Sequence, residues 1–182
     1  KNTTNAPLSI SFNNEITREV PAETHSFSIL DAHSYSFQGV GLSSSQRTFQ
    51  KESFADLAKS TAAVNVSTNK GWAAMIQHYF VSLWVPDTSD STFSVYANKL
   101  ADNTYQSGIK TQPVVLGANQ GIENTNILYA GPTITKNLEA MVKGFGANQP
   151  EGLDKLVDYG MLSFISVIIF WLMTLIHSVV AN

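Results

Sequence analysis

Gly71-Trp72-Ala73-Ala74-Met75-Ile76-Gln77-His78-Tyr79-Phe80-Val81-Ser82-Leu83-Trp84-Val85-Pro86 is the most aromatic window ahead of the C-terminal tail. It is too apolar for a surface loop. Its β-branched and aromatic residues, with Gly71 at one end and Pro86 at the other, predict buried strand rather than helix, most clearly over 79–85. Asp87-Thr88-Ser89-Asp90-Ser91 then reads as a turn and Thr92-Phe93-Ser94-Val95-Tyr96 alternates apolar with polar, so the two runs together predict a hairpin.

The same period of two extends outward. Leu8-Ser9-Ile10-Ser11-Phe12 alternates, with Asn13-Asn14 as its turn; Ser26-Phe27-Ser28-Ile29 and Tyr35-Ser36-Phe37 repeat the pattern, closed by Gly39 and Gly41. One apolar face per strand suits a sandwich. Residues 43–70 are polar, with a short helix expected over 52–60, where Phe54, Leu57 and Ala58 recur at helical spacing. Further strands are expected over 108–116, where Pro113 fits an edge or bulge, and over 126–130, with 117–121 as a loop between them. Thr135 is expected to cap a short helix through Val142, and the Gly/Pro/Asn content of 144–152 reads as linker.

With 182 residues the chain can bury a substantial core, and with no cysteine it excludes disulfides, thiolate metal sites and cysteine nucleophiles. A net charge of −3 without any Lys/Arg cluster argues against nucleic acid. The 14% charged residues are unevenly placed: all 11 basic and 14 acidic side chains lie between Lys1 and Asp158. Lys1 follows no apolar leader, so the chain reads as a fragment whose export signal or anchor is expected outside it.

The tail, 161–180, is uncharged, and about twenty residues at ~1.5 Å each reach ~30 Å, enough to cross a hydrocarbon core as one straight helix. Its polar residues Ser163, Ser166, Thr174, His177 and Ser178 recur at three- and four-residue steps and make one narrow stripe. That pattern equally fits a helix lying in the membrane interface, and Trp171, mid-segment, is misplaced for the aromatic girdle of a spanning helix. The residues alone leave both readings open.

Candidate chemistry is sparse. His25 and His33 flank Asp31 without the spacing of a ligand pair, and His78 among aromatics reads as a packed residue. Asp87, Asp90 and Asp102 sit where turns need Asp. Gly39-Val40-Gly41 lacks the third glycine of a phosphate loop, and Asn65-Val66-Ser67 matches a glycosylation acceptor by three letters only. No cofactor or metal site is expected.

Five motifs in order carry a resemblance: Gly71-Trp72-Ala73-Ala74-Met75 with Gln77, Tyr79-Phe80 and Trp84-Val85-Pro86; Lys110-Thr111-Gln112-Pro113-Val114; Tyr129-Ala130-Gly131-Pro132; Leu156-Val157-Asp158-Tyr159-Gly160; and Phe164-Ile165-Ser166 with Ile176-His177-Ser178-Val179-Val180-Ala181-Asn182. They resemble the large periplasmic domain of the YidC/Oxa/Alb family of membrane-protein insertases and the segment that follows it.

The resemblance implies a mainly-β fold, a β-supersandwich similar in shape to galactose mutarotase, with short helices and a C-terminal amphipathic helix at the membrane interface. The domains expected are a periplasmic sandwich over 1–143, N-terminally incomplete, a linker over 144–158 and the interfacial helix over 159–182. Phe164, Ile168, Trp171, Leu172 and Leu175 are then the membrane contacts, and Ser163, Ser166, Thr174 and His177 the polar stripe. The resemblance further implies residence at the bacterial inner membrane, on its periplasmic side. The implied partners are the lipid bilayer, the Sec translocon with its accessory subunits, and nascent membrane-protein clients engaged through a membrane core absent from this chain. On this reading the chain scaffolds and anchors, and it is not an enzyme. The alternatives are a mutarotase-like carbohydrate-active enzyme, which needs a His and a carboxylate converging in the cleft, and a binding module anchored by a single spanning tail.

Overall fold

The computed structural model describes residues 1–20, 37–60, 62–77, 80–87, 91–144, 150–156, 169 and 171–176. Its strands are β1 (Leu8–Ile10), β2 (Asn13–Glu19), β3 (Gln38–Ser44), β4 (Gln50–Ser53), β5 (Val64–Thr68), β6 (Gly71–Gln77), β7 (Phe80–Pro86), β8 (Phe93–Lys99), β9 (Thr104–Thr111), β10 (Val114–Leu116) and β11 (Asn126–Pro132). They form a five-stranded sheet in the order β11-β7-β6-β3-β4, a four-stranded sheet in the order β2-β9-β8-β5, and a β1-β10 ribbon. All pairings are antiparallel. Helix α1 (Phe54–Lys59) follows β4, and α2 (Thr135–Lys143) and a 3-10 turn (Leu153–Leu156) come after β11.

The two sheets face each other across one core. Val40, Leu42, Ala73 and Met75 of the larger sheet meet Phe93, Val95, Ala97, Tyr105 and Ile109 of the smaller, and Phe54 and Leu57 of α1 join them. Ser53 caps α1 by accepting from the Asp56 amide at 3.0 Å.

A second core lies on the other face of the five-stranded sheet, where Trp72, Ala74, Ile76, Val81, Leu83 and Val85 pack against Leu138 of α2 and Leu153 and Leu156 of the 3-10 turn. The molecule is therefore layered as sheet, sheet and helix. This is why the run from Gly71 to Pro86 is apolar at nearly every position: β6 sends alternate residues into two different cores. β8 alternates strictly because only one of its faces is covered.

The mainly-β sandwich expected from the sequence is what forms, with several local differences. β7 and β8 are not a hairpin, since they belong to opposite sheets and the chain crosses between layers after Pro86. Asn13 and Asn14 open β2 instead of turning, and β4 and β5 arise in the stretch read as polar. Gly39 and Gly41 lie inside β3, where a Cβ on Gly39 would sit 2.2 Å from the Glu52 carbonyl oxygen of β4. Pro113 separates β9 from β10, at the point where the strand pair leaves the sheet to become the ribbon. α2 has Ile134 at its cap position with no side-chain cap, so Thr135 begins the helix rather than capping it. The proposed strands over 26–29 and 35–36 lie outside the described residues. So do His25, Asp31, His33, His78, Asp90 and His177.

Candidate functional site

Three places on the surface and edge of this sandwich carry chemistry or shape beyond packing. The first is the tail. Residue 169 and residues 171–176 are helical, and every one of them is exposed. Ile169, Trp171, Leu172, Met173, Leu175 and Ile176 are large and apolar, with Trp171 65% and Met173 64% exposed. A contiguous apolar surface of this kind marks a membrane or protein contact. Of the predicted membrane contacts, Trp171, Leu172 and Leu175 are in this helix, as is Thr174 of the polar stripe. Phe164, Ile168, Ser163, Ser166 and His177 lie outside the described residues. Among the described residues no helix is long and apolar enough to cross a membrane.

The second is a shallow, open cleft at one end of the sandwich, with enclosed room for about one water molecule. Phe12, Pro86, Phe93 and Ile109 supply its apolar wall, and Asn14, Lys110, Thr111, Asn124 and Asn126 its polar groups. Asn124 accepts a hydrogen bond from the Asn126 side-chain amide. Lys110 is the one ionisable side chain among the described residues of this lining. A sugar mutarotation needs an acid and a base at the anomeric centre; this lining offers amides, hydroxyls and Lys110, and His25, His33 and His78 lie outside the described residues. Asp102 takes the positive φ of 54° in the β8–β9 turn, followed by Asn103 at 56°, which is turn chemistry. Among the described residues no three His, Asp or Glu side chains converge as a metal site would require.

The third is a polar cluster on the outer face of the four-stranded sheet. The Tyr96 hydroxyl lies 2.9 Å from Asn13 Oδ1 and 3.2 Å from Glu15 Oε2, and the Asn13 amide donates to Glu15 at 2.7 Å. Burial pushes the phenol up to about 12, the Asn13 hydrogen bond opposes this, and the Glu15 charge adds to it. Tyr96 therefore stays neutral and serves as a donor that ties β8 to β2. In the sequence Tyr96 is legible only as an alternating strand residue, because cross-strand partners are set by register that no local pattern encodes.

Fold and surface together define the class, a mainly-β sandwich domain bearing an exposed apolar helix beside a closed core. The family model described as the YidC periplasmic domain matches residues 1–172, and the chain belongs to that family. The protein named membrane protein insertase YidC from Francisella philomiragia subsp. philomiragia is 41% identical over 184 residues, covering 100% of this chain and 31% of that protein. Proteins of the same name from Francisella tularensis subsp. novicida and subsp. holarctica are each 40% identical, with the same coverage. The chain thus spans 31% of the length of these relatives.

Proposed function

We propose that this chain is the periplasmic scaffold and membrane anchor of a bacterial inner-membrane protein insertase. The observation that carries the reading is the run of exposed apolar side chains in the helix over 171–176, which follows a sandwich with two packed cores. Water is a poor environment for Trp171, Leu172 and Leu175, and the headgroup–acyl boundary is a good one. Phe164 and Ile168 extend the same apolar side, and Ser163, Ser166, Thr174 and His177 face the headgroups.

The domain division that follows is a sandwich over 1–143, a connection over 144–158 and an interfacial helix over 159–182. The bilayer is the first partner. Clients are inserted by parts of the insertase beyond this third of its length, and the Sec translocon with its accessory subunits docks on the periplasmic side. The insertase reading is supported by relatives named membrane protein insertase YidC, of which this chain covers 31%.

Solid-state NMR of the full-length protein in oriented bilayers, with ¹⁵N-labelled tail residues, tests it. The tail axis is expected in the membrane plane; an axis along the normal overturns the interfacial anchor.

A further inference from the structure

The segment read as linker contains a main-chain carbonyl held by two side-chain donors. After buried Pro150, the carbonyl oxygen of Glu151 accepts from Trp72 Nε1 at 2.8 Å and from Ser43 Oγ at 3.3 Å. Both donors are buried, Trp72 at 0% and Ser43 at 3% exposure, and they come from adjacent strands, β6 and β3. The next residue, Gly152, has φ +80°, and a Cβ there would meet the Thr48 carbonyl oxygen at 2.1 Å. Lys155 Nζ reaches Thr48 Oγ1 at 3.3 Å, and Leu153 and Leu156, each 1% exposed, enter the core under α2.

These contacts differ in kind and converge on one short stretch. Two apolar side chains alone would let the stretch slide along the sheet, since burial has no direction. A carbonyl held by two donors on different strands fixes its position and its angle, because hydrogen bonds are directional and neither donor can be left unpaired in the core without cost.

We infer that residues 150–156 are a latch that sets the point and direction at which the chain leaves the sandwich toward the tail, with Trp72 and Ser43 as its positioning residues. This rests on the anchoring role proposed above for the tail. In that role the latch fixes the place on the sandwich from which the chain departs for the anchor, which narrows the attitudes the domain takes to the membrane.

The test uses the full-length protein in lipid nanodiscs and reads two quantities. In hydrogen exchange the Lys155 amide, which donates to the Gly152 carbonyl at 3.2 Å, is expected to be protected, and Trp72→Phe with Ser43→Ala lowers that protection by ~tenfold or more, the effect of losing two buried hydrogen bonds, while β8 and β9 are unchanged. Spin labels at Lys99→Cys and Met173→Cys, placed in a region free of native cysteine, are expected to give one narrow distance distribution that broadens in the double variant. A segment that exchanges freely in the wild-type protein, or a distribution equally wide before and after the substitutions, overturns the latch. Should the double variant loosen the sheet as a whole, Gly152→Ala reads the same latch from the segment's side, and unchanged exchange and width there overturn it. Tail orientation by NMR remains a separate measurement, so a spanning tail would sink the anchoring role and leave the exchange result standing.

Discussion

Tyr96 lies across Gly108. A Cβ added to the glycine would stand 2.9 Å from the Tyr96 hydroxyl and 2.3 Å from the Asn14 carbonyl oxygen of the neighbouring strand. The three residues belong to β8, β9 and β2, which pair in that order, so the missing side chain lets the phenol bridge from β8 to Asn13 and Glu15. Gly108→Ala is expected to lower stability by about 1–3 kcal/mol, the usual cost of forcing volume into a packed site. Urea unfolding checks this, and a midpoint equal to wild type would show that the bridge accommodates a methyl group.

The same phenol gives a pH dependence with a definite sign. Its ordinary value is near 10 and its folded value about 12. Below the lower value both states hold the proton and the full contribution is present. Between the two the unfolded chain releases the proton while the folded one keeps it, so stability falls as pH rises through this window and the loss is complete above the folded value. Tyr96→Phe removes this component. Unfolding midpoints measured near pH ~9 and ~11, either side of the ordinary tyrosine value, are expected to drop more for the wild type than for the variant, and equal drops would refute the assignment.

How far these features were legible in advance depends on how many faces a strand buries. β8 announces itself because Phe93, Val95 and Ala97 alternate with polar residues over one core. β6 and β7 are legible as buried strands, yet their continuous apolar run hides which residue enters which core. β2 is nearly invisible: its inward residues are Asn14, Ile16 and Arg18, the last with its guanidinium 5.5 Å from the centre of the Phe54 ring, so a strand whose inward face is mostly polar does not read as a core strand in the sequence. The stretch 150–156 reads as linker for a related reason. Gly, Pro and Asn signal a departure from regular structure, and they carry no information about the Trp72 indole that holds the irregular chain down. The tail was legible as apolar and uncharged, and its exposure could come only from the fold.

Ser107 offers a prediction of the opposite sign. It faces inward from β9 at 0% exposure, and its hydroxyl has no hydrogen-bond partner among the described residues. Burying an unpaired hydroxyl is unfavourable, so Ser107→Ala is expected to leave stability unchanged or raise it by up to ~1 kcal/mol. Thermal unfolding of the two proteins decides; a loss greater than that would mean the hydroxyl is paired in solution.

Trp171 separates the two membrane readings by depth. If the segment 161–180 crossed a ~30 Å hydrocarbon core as a helix, Trp171 at its middle would lie ~15 Å from either surface. If the segment lies in the interface, the indole enters only ~5–10 Å, at the headgroup–acyl boundary. Lipids brominated near the glycerol end and near the chain terminus quench at these two depths. In the full-length protein, the emission component lost on Trp171→Phe is expected to be quenched more strongly by the shallow bromines. Stronger quenching by the deep bromines would place Trp171 at the centre of the bilayer and overturn the interfacial anchor. The exchange of Leu172 and Leu175 together for serine, with Trp171 kept as the probe, is expected to weaken its shallow quenching as the tail leaves the bilayer surface, because each of these leucines is exposed by roughly half and gains about 1.5–3 kcal/mol on full burial.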